Sequence, residues 1–143
     1  MPDPATTIAL KLRLVAILGT PCTPVFYRPA SFGEWYAAPE VSRTNVSWWV
    51  DYNRWHGVAL TPVGGWIFTP LCDRHGRPIG KRGAPHWVVG DAQEKLIDIT
   101  PRLQPQLEHC FYLPDQGQGD FALMVNSRIG AIELRAGYDY DGG

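Results

Sequence analysis

Charge is scarce in this 143-residue chain: 19% of residues are Asp, Glu, Lys or Arg, and the net charge is −1. So even a balance supplies no global field toward nucleic acid or an anionic membrane, and neither is an expected partner. Cysteine is also rare. Cys22, Cys72 and Cys110 are an odd number at wide spacings, which argues against a disulfide framework and suits free thiols in a reducing, cytoplasmic setting. Long apolar runs are missing. The stretch from Ile8 to Leu18 is broken by Lys11 and Arg13 and is too short to span a bilayer, and the Met-Pro-Asp-Pro start does not suit a secretory signal. No internal repeat and no low-complexity segment occurs. A phosphate-cradling glycine loop is absent too, since "GQG" at 117–119 is too short and follows no clear strand. The sequence therefore calls for no cofactor.

Apolar residues make up 45% of the chain and aromatics 12%, including six tryptophans. That supply fits one domain over residues 1–143 with a single core. Asp3 followed by Pro4 suits a helix start and Gly19 a helix end. Between them either Ile8, Leu12, Val15 and Leu18 or Leu10, Leu14 and Ile17 can form a helical apolar face; the alternation Ile8-Leu10-Leu12-Leu14 would also fit a strand, but length and the capping signals favour the helix. Residues 19–39 carry four prolines and two glycines and read as an irregular connection with a turn near "SFGEWYA". A second helix is expected to start between Glu40 and Asn45 and to end at Gly57, with Trp48, Trp49, Tyr52 and Trp55 as an aromatic face. Beyond residue 58 the pattern turns to strands: "GWIFTPLC", "HWVVG", "KLIDIT", "HCFYLP", "FALMVNS" and "AIELRA", with "DRHGRPIGKRGAP" as a loop and "GYDYDGG" as a fraying tail. Helices first and strands afterwards predict an α+β fold, with N-terminal helices packed on a twisted antiparallel sheet.

The stretch "HWVVGDAQEKLIDITP" reads as a hairpin turning at Asp91-Ala92-Gln93, which sets His86 opposite Asp98. Opposed residues share a face, so the carboxylate can orient the imidazole; the bland alternative is a His–Asp pair at a sheet edge with no chemistry. A one-residue slip would separate them. None of the three cysteines has a nucleophile's setting. Ser42, at the start of the Trp-rich helix, does, although a serine there is most often an ordinary N-cap. Cys72 and His75, with His109 and Cys110, His56 and His86, offer zinc-type ligands. No second tight pair follows "CDRH", so no metal site is expected. Arg74, Arg77, Lys81 and Arg82 bring cationic charge to the loop before His86, either as an anion-binding lid or as a solvated loop.

The order of these features resembles the papain-like proteins of the transglutaminase-like and NlpC/P60-like kind over residues 40–101. The carrying motifs are "SRTNV" (Asn45, Val46), "GGW" (Gly65, Trp66), "HWVV" (His86) and "LIDITP" (Asp98, Thr100, Pro101). The resemblance implies a papain-like fold and acyl chemistry on an amide or peptide bond. Position 42 would hold the nucleophile, His86 the general base and then acid, and Asp98 the orienter. Asn45 would support the site or bind substrate. Read from the residues rather than the resemblance, Trp66 and Trp87, in a set of tryptophans expected mostly in the core, and Arg77, Lys81 and Arg82 of the basic loop are candidate contacts for a peptide or protein substrate with an anionic group. The departure is Ser42, where the resemblance expects cysteine. It leaves three readings: a serine-using enzyme, an inactive binding or inhibitor protein using the same cleft and basic loop, or a chain in which serine replaces a natural cysteine.

Overall fold

The computed structural model describes residues 3–21, 24–32, 35–37, 41–101 and 111–141. Among these residues three helices and eight strands follow in the order α1 (Pro4–Leu18), β1 (Val25–Tyr27), β2 (Ser31–Phe32), β3 (Trp35–Tyr36), α2 (Ser42–Trp55), β4 (Thr61–Cys72), β5 (Pro78–Gly90), β6 (Leu96–Asp98), β7 (Phe111–Pro114), α3 (Asp120–Asn126) and β8 (Ile132–Arg135). The fold is mixed α+β. Six strands form one sheet in the order β1-β6-β5-β4-β7, with β8 paired to β5, while β2 and β3 form a separate hairpin. The sheet is mixed rather than antiparallel, because β1 runs parallel to β6 with Tyr27 in register with Asp98. The chain divides into two compact units, one of Met1–Cys22, Gly65–Pro85 and Leu107–Gly143, the other of Thr23–Gly64 and His86–Gln106. No helix among the described residues is long and apolar enough to cross a membrane.

In the first unit α1 starts where the sequence indicates. Asp3 accepts the Ala5 N–H from the N-cap position, and Pro4 needs no donor in the first turn. Of the two candidate faces, Leu10, Leu14 and Ile17 are buried while Ile8 and Leu12 are exposed. Strand β5 begins eight residues before the expected "HWVVG": the basic "loop" is a short turn followed by a strand whose residues 80–83 pair with β8. Pro78 is tolerated at the first strand position, and Gly80 is required because a Cβ there would collide with the Leu134 carbonyl oxygen. The segment "FALMVNS", expected as a strand, is helical. Phe121 and Met124 are buried at helical spacing while Leu123 faces out. Of the tail expected to fray, residues 137–141 are described: Ala136 bridges Tyr140 and Asp139 lies 3.5 Å from Lys11, while Gly142 and Gly143 lie outside the described residues.

Two hairpin turns share one construction. Asp73 Oδ1 accepts the N–H groups of His75 and Arg77, and Asp91 Oδ1 accepts those of Gln93 and Lys95. Each turn places its fourth residue in the left-handed region, Gly76 at φ 78° and Glu94 at φ 61°. This is a type I turn followed by a left-handed residue, a common three-residue hairpin loop.

The second unit packs Val46 and Val50 of α2 against Val89 and Ile99, with Trp49 and Trp87 half-buried beside them. Helix α2 ends at Trp55, and Gly57 closes it as expected. The Val58 N–H reaches the Asn53 carbonyl and the Gly57 N–H that of Arg54, a Schellman closure that the φ of 77° at Gly57 permits. The expected aromatic face is not buried as a block, for Trp48 is 60% and Trp55 87% exposed. Aliphatic residues one turn apart fill the contact instead.

Candidate active site

The site is built within the second unit, on the start of α2 and the hairpin of β5 and β6. The ladder pairs Val89 with Ile97 and Gly90 with Leu96, so its register runs two residues from the sequence expectation. The physical reason is the turn. With Asp91 accepting two N–H groups as first residue, and Glu94 taking the left-handed position, the loop centres on Gln93 rather than Ala92. An even shift preserves faces, because side chains alternate with a period of two. His86 and Asp98 are therefore diagonal neighbours rather than direct opposites, and the side chains bridge the difference: His86 Nε2 lies 3.0 Å from Asp98 Oδ1.

Asp98 is 2% exposed, and its Oδ1 also accepts the Thr100 N–H at 3.2 Å. Thr100 in turn accepts Asn45 Nδ2 on its hydroxyl at 3.0 Å, a buried contact that ties the first turn of α2 to the end of β6. A carboxylate removed from water needs such partners. The register of β1 adds a residue for which the sequence carried only a weak signal, an aromatic "VFY" triplet among prolines. Tyr27 stands beside Asp98 and shares its face of the sheet.

Ser42 is not a helix cap. The N-cap is Val41, which makes no side-chain capping bond, and Ser42 occupies the first helical position. Its Oγ instead accepts the backbone N–H of Trp87 at 3.0 Å, so it sits against the residue that follows His86 in β5. The first intrahelical bond runs from the Asn45 N–H to the Val41 carbonyl, 3.0 Å, which leaves the N–H groups of Ser42, Arg43 and Thr44 without helical acceptors. These donors and the positive end of the helix dipole lie at the α2 start that carries Ser42.

Two hydrogen-bonded sets thus adjoin within one unit, Ser42 with Trp87 and Asn45 with Thr100, Asp98 and His86, and the His86–Trp87 peptide bond joins them. The remaining residues expected to contact substrate are otherwise engaged. Trp66 is fully buried, gives its Nε1–H to Met124 Sδ at 3.1 Å and meets the Phe121 ring edge-on at 5.7 Å, so it is a core residue. Arg77 pairs with Asp73 at 3.0 Å, and Lys81 lies 5.4 Å over the Phe111 ring. Arg82 is in register with Glu133 on β8. Arg77 thus lies in the Asp73 turn, and Lys81 and Arg82 on the part of β5 that pairs with β8. Among the described residues no group of three or more His, Cys, Asp or Glu could hold a metal ion; His109, Cys110 and Cys22 lie outside them. Cys72 is a free, exposed thiol. No protein-family model, curated protein or solved structure matches this chain.

Proposed function

We propose that the protein performs acyl chemistry on an amide or peptide bond, with Ser42 as nucleophile, His86 as base and then acid, and Asp98 as orienter. The finer fold reading, a papain-like or transglutaminase-like arrangement, belongs to the same proposal. One observation carries it. Ser42 Oγ is 3.0 Å from the Trp87 nitrogen at a helix start, and the preceding residue, His86, holds Asp98 at 3.0 Å.

With Nε2 turned to Asp98, proton exchange with the nucleophile belongs to Nδ1 of His86. The imidazole takes the Ser42 proton as Oγ bonds to the carbonyl carbon, and the oxyanion forms against the N–H groups of the α2 start. His86 then delivers that proton to the departing amine as the carbon–nitrogen bond breaks, leaving an acyl ester on Ser42. Water releases the acid in hydrolysis, or an amine takes the acyl group in transfer: His86 accepts the proton of the attacking group and returns it to Ser42 Oγ as the ester bond breaks. Asp98 keeps the ring oriented and stabilises the imidazolium without itself being protonated. Asn45 acts as a positioning residue through Thr100.

A fluorophosphonate probe tests this reading. The wild-type protein should gain one adduct, located by peptide mass spectrometry on Ser42, and His86→Ala should lose it. A protein that stays unlabelled at Ser42 while binding peptides through this cleft would be an inactive binding module. One contact supports that second reading: Ser42 Oγ already accepts a backbone N–H, the engagement of an ordinary structural serine.

A further inference from the structure

The second unit also contains a cavity of about 400 Å³ that the proposed chemistry does not use. Leu60, Val89, Ile97 and Ile99 form an apolar floor, Trp49 stands at its side, and Arg28 and Asn53 line it with polar groups. Its position separates it from the candidate active site. None of Ser42, His86 and Asp98 is among the residues that line it. Along α2, Trp49 and Asn53 lie about 10 Å and about 16 Å beyond Ser42 at the helical rise of ~1.5 Å per residue.

The charge of the lining is one-sided. Arg28 is the single ionisable group among the described lining residues, and it enters none of the ion pairs found among the described residues. Its backbone is fixed, since the Arg28 N–H donates to the Asp98 carbonyl at 2.8 Å, and the Ala30 N–H donates to the Ile99 carbonyl at 3.0 Å. The exposed guanidinium is thus carried on a backbone tied to β6 at the cavity mouth. A cavity of this volume falls in the range of small-molecule sites, which combine apolar walls with a few placed polar groups. A guanidinium at the rim selects a carboxylate, sulfonate or phosphate head.

We propose that this cavity binds a small amphiphilic anion, with its apolar body on Leu60, Val89, Ile97 and Ile99 and its anionic head on Arg28. The test uses two probes with the same ring system, anilinonaphthalene sulfonate and the uncharged N-phenyl-1-naphthylamine. Binding is followed by fluorescence and by chemical-shift mapping on the full chain. The sulfonate should bind saturably and move the methyl signals of Leu60, Ile97 and Ile99 and the side-chain amide of Asn53. Arg28→Gln, at an exposed position, should weaken the sulfonate about tenfold and change the neutral amine by less than about twofold. Leu60→Trp should exclude both probes. If that variant does not fold, the Arg28→Gln pair of titrations decides alone. Three results overturn the proposal: no saturable binding, equal loss of both probes in Arg28→Gln, or shifts confined to the exposed indoles of Trp48 and Trp55.

Discussion

Replacing Asp98 by alanine tests the site at its most buried point. Two donors converge on Asp98 Oδ1, the His86 ring at 3.0 Å and the Thr100 N–H at 3.2 Å, and both Asp98 and Thr100 are almost fully buried. Truncation leaves the Thr100 amide without its acceptor, at about 1–3 kcal/mol, and removes a hydrogen bond to a charged group, worth about 1.5–3 kcal/mol. Together the loss is about 3–5 kcal/mol, the range for breaking a buried polar pair from one side. With a denaturant slope of about 1–3 kcal/mol per molar, the urea midpoint should fall by roughly 2 M. Asp98→Asn, which keeps one acceptor oxygen, should lose about half as much. A double-mutant cycle with His86→Ala isolates the pair and should return a coupling of about 1–3 kcal/mol. A coupling below about 0.5 kcal/mol would refute the reasoning, because His86 and Asp98 would then not be joined in solution.

Three further predictions concern the frame around the site. Val41 is an N-cap without a capping side chain and is 43% exposed, so Val41→Ser should raise stability by about 0.5–1 kcal/mol in thermal or urea unfolding. Glu94 takes the left-handed position that Gly76 takes in the sister turn, so Glu94→Gly should stabilise the β5–β6 hairpin by about 1 kcal/mol, read in the same assay. The Asp73 carboxyl is held below its usual 3.8, first by the Arg77 N–H and further by the His75 N–H and the Arg77 side chain, against an opposing desolvation. Its contribution is present above the unfolded value of 3.8 and is lost as pH falls through the lower folded value. Amide exchange at His75 and Arg77 should accelerate on that acidification, and Asp73→Asn should abolish the pH dependence.

Much of the local structure was legible because local chemistry decides it. Asp3, Pro4 and Gly19 bound α1, and Gly57 closes α2, through capping interactions made within a few residues. The common face of His86 and Asp98 survived a wrong turn centre, because only an odd slip would have separated them. What stayed hidden depends on distant partners. The parallel pairing of β1 with β6 joins Tyr27 to Asp98 across most of the unit's sequence, and nothing in a proline-rich stretch announces it. Gly80 and Pro78 read as loop punctuation, yet the glycine serves the close approach of Leu134 from β8. Trp66 matched a motif for a site but packs between Met124 and Phe121, which only tertiary contact reveals. Ser42 looked like a cap, and its hydroxyl turned instead to Trp87, forty-five residues away.

The central claim is that position 42 is a nucleophile's place served by His86. The most direct measurement is the rate at which iodoacetamide alkylates a Ser42→Cys variant, made with Cys72→Ser to remove the exposed thiol. Peptide mass spectrometry separates position 42 from Cys22 and Cys110. If the account holds, the cysteine at 42 is alkylated at neutral pH at least about tenfold faster than a free thiol, since a paired imidazole and a helix start favour the thiolate. His86→Ala should remove that advantage, and Asp98→Asn should reduce it. A thiol at 42 that reacts no faster than free cysteine, or equally fast without His86, would contradict the triad.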